Sequence, residues 1–188
     1  MKQVSILTFL FLIFLGCNTT TEKKNEPTHQ SNAQNQISGE KFFEYDAIDY
    51  YQTDFDELKI GELYDNKSKS KIDSLKMEII LGKIPNNISD LFFIEKLETV
   101  GYKKMIIDKS KFESIDKIFI EKSTLENIAT ACIHVYRDIL IFKKEGKVIG
   151  TAKICFDCMS KQIKGTTANT ENFGQDEDYK KKKKILRK

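Results

Sequence analysis

The stretch Ala129–Cys158, ATACIHVYRDILIFKKEGKVIGTAKICFDC, decides the fold of this 188-residue chain. Two runs rich in Ile, Val, Phe and Tyr flank a turn that contains Gly146, which is typical of an antiparallel β-hairpin. Large apolar residues occupy both odd and even positions of these runs, so other layers must cover both faces. The stretch therefore predicts a central two-strand hairpin over residues 129–158 in a small antiparallel sheet.

The turn sets the register of this hairpin, and the register decides how its cysteines meet. A three-residue loop over Lys144–Gly146 places Cys132 directly opposite Cys158, at a separation that suits a disulfide. The side chain of Cys155 then points to the other face of its strand. A two-residue loop shifts the pairing by one residue and weakens the case for the disulfide. We predict a Cys132–Cys158 disulfide, because the N-terminal sequence described below predicts export to an oxidising compartment, where such bonds persist.

The same cysteines allow a different chemistry. Cys132 and His134 from one strand, with Cys155 and Cys158 from the other, form a ligand set that suits zinc or copper(I). CFDC is also the spacing of a thiol-redox motif, although the segment MSKQIKG after it is too short for the helix that lowers the pKa of such thiols. A metal-binding or thiol-redox protein is therefore the alternative to a structural disulfide.

Two adjacent charges, Arg137 and Asp138, interrupt the apolar run of the hairpin and must point to opposite faces of the sheet. Because unpaired buried charges are costly, we predict an ion pair with Lys153 or a helix carboxylate, with anion binding by Arg137 as the alternative. His134 is expected to be a packed or edge residue within the strand. No phosphate-binding glycine loop, catalytic carboxylate pair or zinc-protease motif occurs, so we expect no catalytic residues and no cofactor.

The rest of the body adds helices. Helical spacing of apolar residues predicts helices over 71–81 and from Ser89 to Val100, and a Ser110–Glu113 capping box begins a third. Residues 102–107 read YKKMII and predict a strand, whereas residues 42–51 fit either a strand or a short helix. The predicted fold class is α+β, with a small antiparallel sheet packed by two or three helices over residues 41–166.

The N-terminus carries an export signal. Residues 1–16 combine one Lys with an apolar run that is too short to span a bilayer. Leu15, Gly16 and Cys17 resemble the end of the lipobox of bacterial lipoproteins. The resemblance implies cleavage before Cys17 and acylation of this residue, whereas an ordinary secretory peptide would leave it free. Residues 18–40 are polar and predict a flexible tether between the lipid and the domain.

Residues 167–188 predict a polar linker followed by a basic C-terminal helix or tail. Seven basic residues lie from Lys180 onward, so the net charge of +3 is concentrated there. Acidic residues before this run and lysines after it suit the dipole of a short helix. Binding to anionic lipid or nucleic acid is the alternative, but no aromatic residue interrupts the basic run, and we expect no nucleic-acid partner.

The pattern C-x-x-x-YRD-x-L-x-F at 132–142, followed by GKVIG, ICFDC and NFGQDEDY, resembles a group of small lipoproteins and secreted proteins of Bacteroidota. The resemblance implies an exported location and a similar fold, and it implies no activity. We therefore expect a protein anchored by lipid to the outer membrane, on its periplasmic or surface face, with a non-enzymatic binding or structural role towards an envelope partner. An immunity-type protein that binds a toxin is a further alternative.

Overall fold

The computed structural model describes residues 39–123, 132–174 and 177–187. The predicted signal peptide, Cys17 and nearly all of the predicted tether lie outside these residues. The described chain forms nine helices and strands longer than a single turn, which are, in order, β1 (Ala47–Gln52), α1 (Lys59–Asp65), α2 (Lys71–Ile80), β2 (Lys103–Ile106), α3 (Phe112–Asp116), β3 (Asp138–Lys144), β4 (Lys147–Cys155), β5 (Ser160–Lys164) and α4 (Asp178–Leu186).

The five strands form one antiparallel sheet in the order β2-β1-β3-β4-β5. The strand β3 is central, and its first five residues, Asp138–Phe142, are all buried. This arrangement confirms the predicted α+β class and the central position of the hairpin. The hairpin is shorter than predicted, because residues 132–137 lead into β3 without belonging to a strand.

The register of the hairpin differs from the predicted one. The turn has two residues, Glu145 and Gly146, both with positive φ (50° and 75°), as the tight turn between two twisted strands requires. A β-bulge then shifts the pairing, so that Phe142 lies opposite Gly150. The predicted three-residue loop is therefore wrong. Cys132 and Cys158 also do not face each other across the hairpin, because neither belongs to the paired strands.

The bulge also exchanges two side chains between the faces of the sheet. Ile149 packs with the core that contains Phe142, and Val148 packs with the core that contains Ile141, which is the reverse of simple alternation. Gly150 lies where a Cβ atom would overlap the ring of Phe43. The close approach of this ring to the backbone requires glycine at that position.

Each face of the sheet has its own core. On the first face, which we call the aromatic face, α3 and α4 pack on β1, β3 and β4; its largest side chains are Phe42, Phe43, Phe119, Phe142, Phe173 and Tyr179. On the second face, which we call the α2 face, α1 and α2 cover the sheet through Ile60, Ile79 and Ile80. Four helices of the described residues therefore cover the two faces of the sheet, three of them within residues 41–166, as predicted, and α4 in the predicted C-terminal segment.

The predicted helices are only partly confirmed. The helix α2 agrees closely with the prediction for 71–81 and is capped by Ser70, whose side chain accepts a bond from the backbone N–H of Asp73. Within residues 89–100 only the turn Ile94–Lys96 is helical, of the 3-10 type. The third helix does not use the predicted Ser110 capping box, because the Asp108 side chain accepts from the Ser110 backbone and starts a 3-10 turn instead.

The C-terminal segment is part of the domain. Four apolar residues beyond the predicted boundary at residue 166 belong to the aromatic core, namely Ala168, Phe173, Tyr179 and Leu186. The predicted linker and tail over 167–188 therefore pack on the sheet as far as they are described, with the basic helix confirmed as α4. The helix buries an apolar stripe and leaves Lys180, Lys181, Lys183 and Lys184 exposed.

Candidate functional site

A disulfide joins Cys132 to Cys158, with 6.0 Å between their Cα atoms. Cys132 lies on the segment that leads into β3, and Cys158 lies in the turn between β4 and β5. The predicted pair is thus formed, but through two irregular segments and not through facing positions of a hairpin. Cys132 is exposed, whereas Cys158 is buried, so the bond reaches from the surface into the domain.

The third cysteine, Cys155, is the last residue of β4 and carries a free thiol. It is buried in a small cluster with Tyr136 and Cys158, and the Tyr136 hydroxyl lies 3.1 Å from Oγ of Ser160. The expectation that Cys155 faces away from the disulfide pair is wrong, because Cys158 lies in the turn after β4, where strand alternation no longer applies. All three cysteines of the domain therefore lie at one end of the sheet.

His134 is exposed and precedes β3, so the prediction of a packed or edge histidine within the strand is wrong. Its ring makes an edge contact with Tyr136, with the ring centroids 6.3 Å apart. The alternative metal site would use His134 with Cys132, Cys155 and Cys158, but the sulfurs of Cys132 and Cys158 are bonded to each other. Among residues 39–123, 132–174 and 177–187, no group of three His, Cys, Asp or Glu side chains is placed to hold a metal ion.

Asp138 is the most buried carboxylate of the sheet, with 1% of its surface exposed. Arg187, just after α4, binds it with two hydrogen bonds, Nε to Oδ1 at 2.9 Å and Nη2 to Oδ2 at 2.5 Å. The Tyr50 hydroxyl donates a third bond to Oδ1. The hydrogen bond with Asp138 raises the pKa of Arg187, and burial, followed by the charge of Asp138, raises the pKa of Tyr50. The buried carboxylate of Asp138 is therefore paired within the domain by two parallel hydrogen bonds from one guanidinium.

Arg137 points away from this network. Its Nη1 lies 2.8 Å from a carboxylate oxygen of Asp157, and its Nε donates to the Phe55 carbonyl at 2.8 Å. Glu57 lies 3.6 Å away on the exposed side. The prediction that the two charges face opposite ways holds. The guanidinium is occupied by groups of the domain itself, which favours an ion-pair role over anion binding.

Lys153 does not pair with either charge, contrary to the sequence prediction. Its ammonium group is fully buried and donates to the carbonyls of Ile79, at the end of α2, and of Ile84, at 2.6 Å for the latter. Gln162 donates beside it to the Gly82 carbonyl at 2.6 Å. Burial lowers the pKa of Lys153 to about 7. Lys153 and Gln162 thus bind backbone carbonyls at and just after the C-terminal end of α2, where a cationic donor is favourable. These bonds attach the helix to the sheet.

Sequence reasoning missed Lys182 of α4. It is 1% exposed, and its Nζ lies 3.3 Å from the centroid of the Phe173 ring and 4.7 Å from that of Phe119. The described residues offer this Nζ no hydrogen-bond acceptor, and burial lowers the pKa of Lys182 well below its ordinary value. Lys182 lies three residues after Tyr179 and four before Leu186, so the three side chains share one face of α4. This spacing is the sequence signal that could have indicated a buried lysine.

These features define a class of domain: a disulfide-bonded α+β fold in which the charged side chains Arg137, Asp138 and Lys153 are bound by neighbours within the domain. No helix in the described part of the chain has the length and apolar character that crossing a membrane requires. Comparison with protein-family models, with curated proteins and with solved structures finds no match. The fold and its side-chain contacts are therefore the basis for inferring a function.

Proposed function

We propose that this chain is a lipid-anchored protein of the cell envelope with a non-enzymatic, binding or structural role. In this proposal residues 1–16 direct export, acyl chains on Cys17 hold the protein to the outer membrane, and the domain presents itself to another envelope protein. The observation that carries the proposal is the Cys132–Cys158 disulfide, because such bonds persist in oxidising compartments and are rare in the reducing cytosol. The signal-like N-terminus supports it independently.

The side-chain contacts support binding over catalysis. A catalytic group must reach a substrate, but Asp138 and Lys153 are buried and hydrogen-bonded within the domain. Arg137 is bound to Asp157 and to a backbone carbonyl. These charges stabilise the packing of helices and loops against the sheet. Recognition of a partner would then use the exposed surface of a rigid domain.

The anchor is tested by expressing the full chain in a bacterial host that is fed an alkyne-tagged fatty acid. We expect the wild-type protein to carry the tag and to sediment with membranes, and the Cys17→Ser variant to lose the tag. A matched Cys155→Ser variant controls for acylation at the free thiol of the domain and should keep the tag. A wild-type protein that is untagged, or that is tagged equally after Cys17→Ser, would overturn the proposed anchor.

The state of the cysteines is tested by alkylation of the denatured protein with and without reductant. Of the four cysteines, Cys17 is acylated in the proposal and two are bonded, so one thiol should react before reduction and three after it. Three reactive thiols before reduction, together with bound zinc, would instead support the metal-binding alternative. The assay thus separates a structural disulfide from a metal site in one experiment.

Thiol-disulfide exchange is the second candidate function, and it is favoured by the packing of Cys155 beside Cys158. In such a protein the Cys155 thiolate would attack the Cys158 sulfur and release Cys132 as a thiol. Reduction of a disulfide substrate by the pre-reduced protein, abolished by Cys155→Ala, would support this function. No turnover above that of free dithiol would leave the binding role as the better account.

A further inference from the structure

We propose that Lys122 and Asp178 form an intramolecular isopeptide bond, between Nζ of the lysine and Cγ of the aspartate. The two side chains come from distant parts of the chain, 56 residues apart, and the Lys122 Nζ is in direct contact with Oδ2 of Asp178. Only 13% of the Lys122 side chain and 3% of the Asp178 side chain are exposed. A nucleophilic amine is thus held against a carboxyl group in a site that is nearly free of water.

The surroundings of this pair favour the protonated carboxyl group of Asp178. Burial raises the pKa of Asp178, even though its hydrogen bond to Lys122 acts in the opposite direction. The next basic group, Lys182, lies one turn further along α4 against the ring of Phe173. Burial also lowers the pKa of Lys182. Burial thus favours the neutral carboxylic acid at position 178, which is the form that an amine can attack.

The position of the lysine is fixed by a further contact. Asn172 is buried, and its Nδ2 donates to the backbone carbonyl of Lys122 at 3.0 Å. On the other side, Asp178 belongs to the first turn of α4, which Tyr179 and Leu186 attach to the aromatic core. Two groups held in this way react with effective concentrations of roughly 10⁵–10⁸ M when their geometry is favourable.

The condensation balances without any additional reagent. The Lys122 ammonium transfers a proton to the Asp178 carboxylate, and the lone pair of the resulting amine attacks Cγ. A C–N bond forms, the C–OH bond of the tetrahedral adduct breaks, and the hydroxyl leaves with the second amine proton as water. The product is a neutral amide. It removes a buried charge pair, whose desolvation can cost more than its mutual attraction returns.

Other lysine–carboxylate contacts of the domain lack this environment. Lys117 and Glu113 are in contact at 2.6 Å, but 56% and 82% of their side chains are exposed, so both stay hydrated. Burial acts on Asp49 too, but hydrogen bonds from Lys143 and Lys104 lower the pKa of this carboxyl. Asp49 therefore stays ionised, and a carboxylate ion does not accept an amine. The condensation is specific to Asp178 for this physical reason.

The bond would tie the segment before the hairpin to α4 and close a loop around β3, β4 and β5. The disulfide between Cys132 and Cys158 lies inside that loop. The domain would thus contain two nested cross-links of different chemistry, one reducible and one resistant to reductant. A protein held at an exposed cell surface would keep α4 on the sheet even after its disulfide is reduced.

The test is tandem mass spectrometry of a tryptic digest of the reduced full chain. With the bond present, trypsin does not cleave after residue 122, and peptides 118–137 and 165–180 appear as one linked species, lighter by one water than their sum. The Asp178→Asn variant loses ammonia instead of water and should give a linked species of identical mass. Lys122→Arg should give separate peptides, since a guanidinium is not a nucleophile under these conditions.

A matched Lys117→Arg variant alters an exposed ion pair and should leave the linkage between peptides 118–137 and 165–180 intact. The proposal is overturned if folded wild-type protein yields peptide 118–122 and peptide 165–180 as separate species in full amount. It is also overturned if the wild-type and Asp178→Asn proteins both digest to unlinked peptides. Because the wild-type digest decides the matter alone, a folding defect in either variant does not obscure the result.

Discussion

Removing the disulfide by Cys132→Ser should lower the stability of the domain by an amount set mainly by chain entropy. Cys132 is exposed, so its replacement removes little packing, whereas a change at the buried Cys158 would also disturb the core. The bond closes a loop with a sequence separation of 26. Loop-closure entropy for a loop of this size predicts a loss of about 3.5 kcal/mol in the free energy of unfolding.

The assay is urea unfolding of wild-type and variant proteins, each with and without reductant. The oxidised wild type should be the most stable of the four samples, and reduction should bring it to the level of Cys132→Ser. Reductant should leave the stability of the variant nearly unchanged, because the variant has no bond between residues 132 and 158 to lose. The reasoning is refuted if the oxidised proteins differ by less than about 1 kcal/mol, or if their difference persists after reduction.

Three further predictions concern single side chains. Arg187→Ala leaves Asp138 buried without its guanidinium and should lower the free energy of unfolding by about 3–5 kcal/mol in urea titrations. Burial lowers the pKa of Lys153 to about 7 from the ordinary 10.5, so between these values the unfolded chain binds a proton that the folded chain lacks. Melting temperature should therefore rise from pH 7 to pH 9, and Lys153→Met should flatten this rise. Gly150→Ala should destabilise by about 1–3 kcal/mol through overlap in the core, and Gly61→Ala, on an open surface of α1, should stabilise by up to ~1 kcal/mol.

Each of these three predictions has an outcome that would contradict it. A loss below about 1 kcal/mol for Arg187→Ala would mean that Asp138 is solvated in the variant, so that the guanidinium is not needed to offset its burial. A melting temperature that falls between pH 7 and pH 9 in the wild type would show that Lys153 stays charged when folded. Equal effects of alanine at positions 150 and 61 would contradict the close approach of Phe43 to the sheet.

The sheet was predictable because its signal is local. Alternating and continuous apolar residues on either side of Gly146 mark two strands, and charged residues are scarce between Ile139 and Phe142. The register was not predictable, because the sequence allows either a two-residue or a three-residue loop, and the structure has the two-residue turn Glu145–Gly146 followed by a bulge. The exchange of Val148 and Ile149 between faces follows from that bulge.

The partners of the buried charges were also not predictable from the sequence. The sequence indicates that Arg137 and Asp138 need partners, since both interrupt a buried strand. It does not indicate Arg187, which lies 49 residues away and among lysines that suggest a solvated helix. Lys153 was equally hidden, because its acceptors are backbone carbonyls, which every residue possesses. The partner of a buried charge depends on the tertiary fold, and the lysines around Arg187 hide its role in the sequence.

The bond between Asp138 and Arg187 has a consequence for the order of events during biosynthesis. The middle strand carries a carboxylate that stays without its guanidinium until a segment 49 residues downstream has been made. A growing polypeptide that has emerged only as far as β5 should therefore resist premature collapse, since sealing its interior would bury a lone negative charge. Under the proposed export, such a delay would suit a chain that passes through a narrow channel before it acquires its final shape.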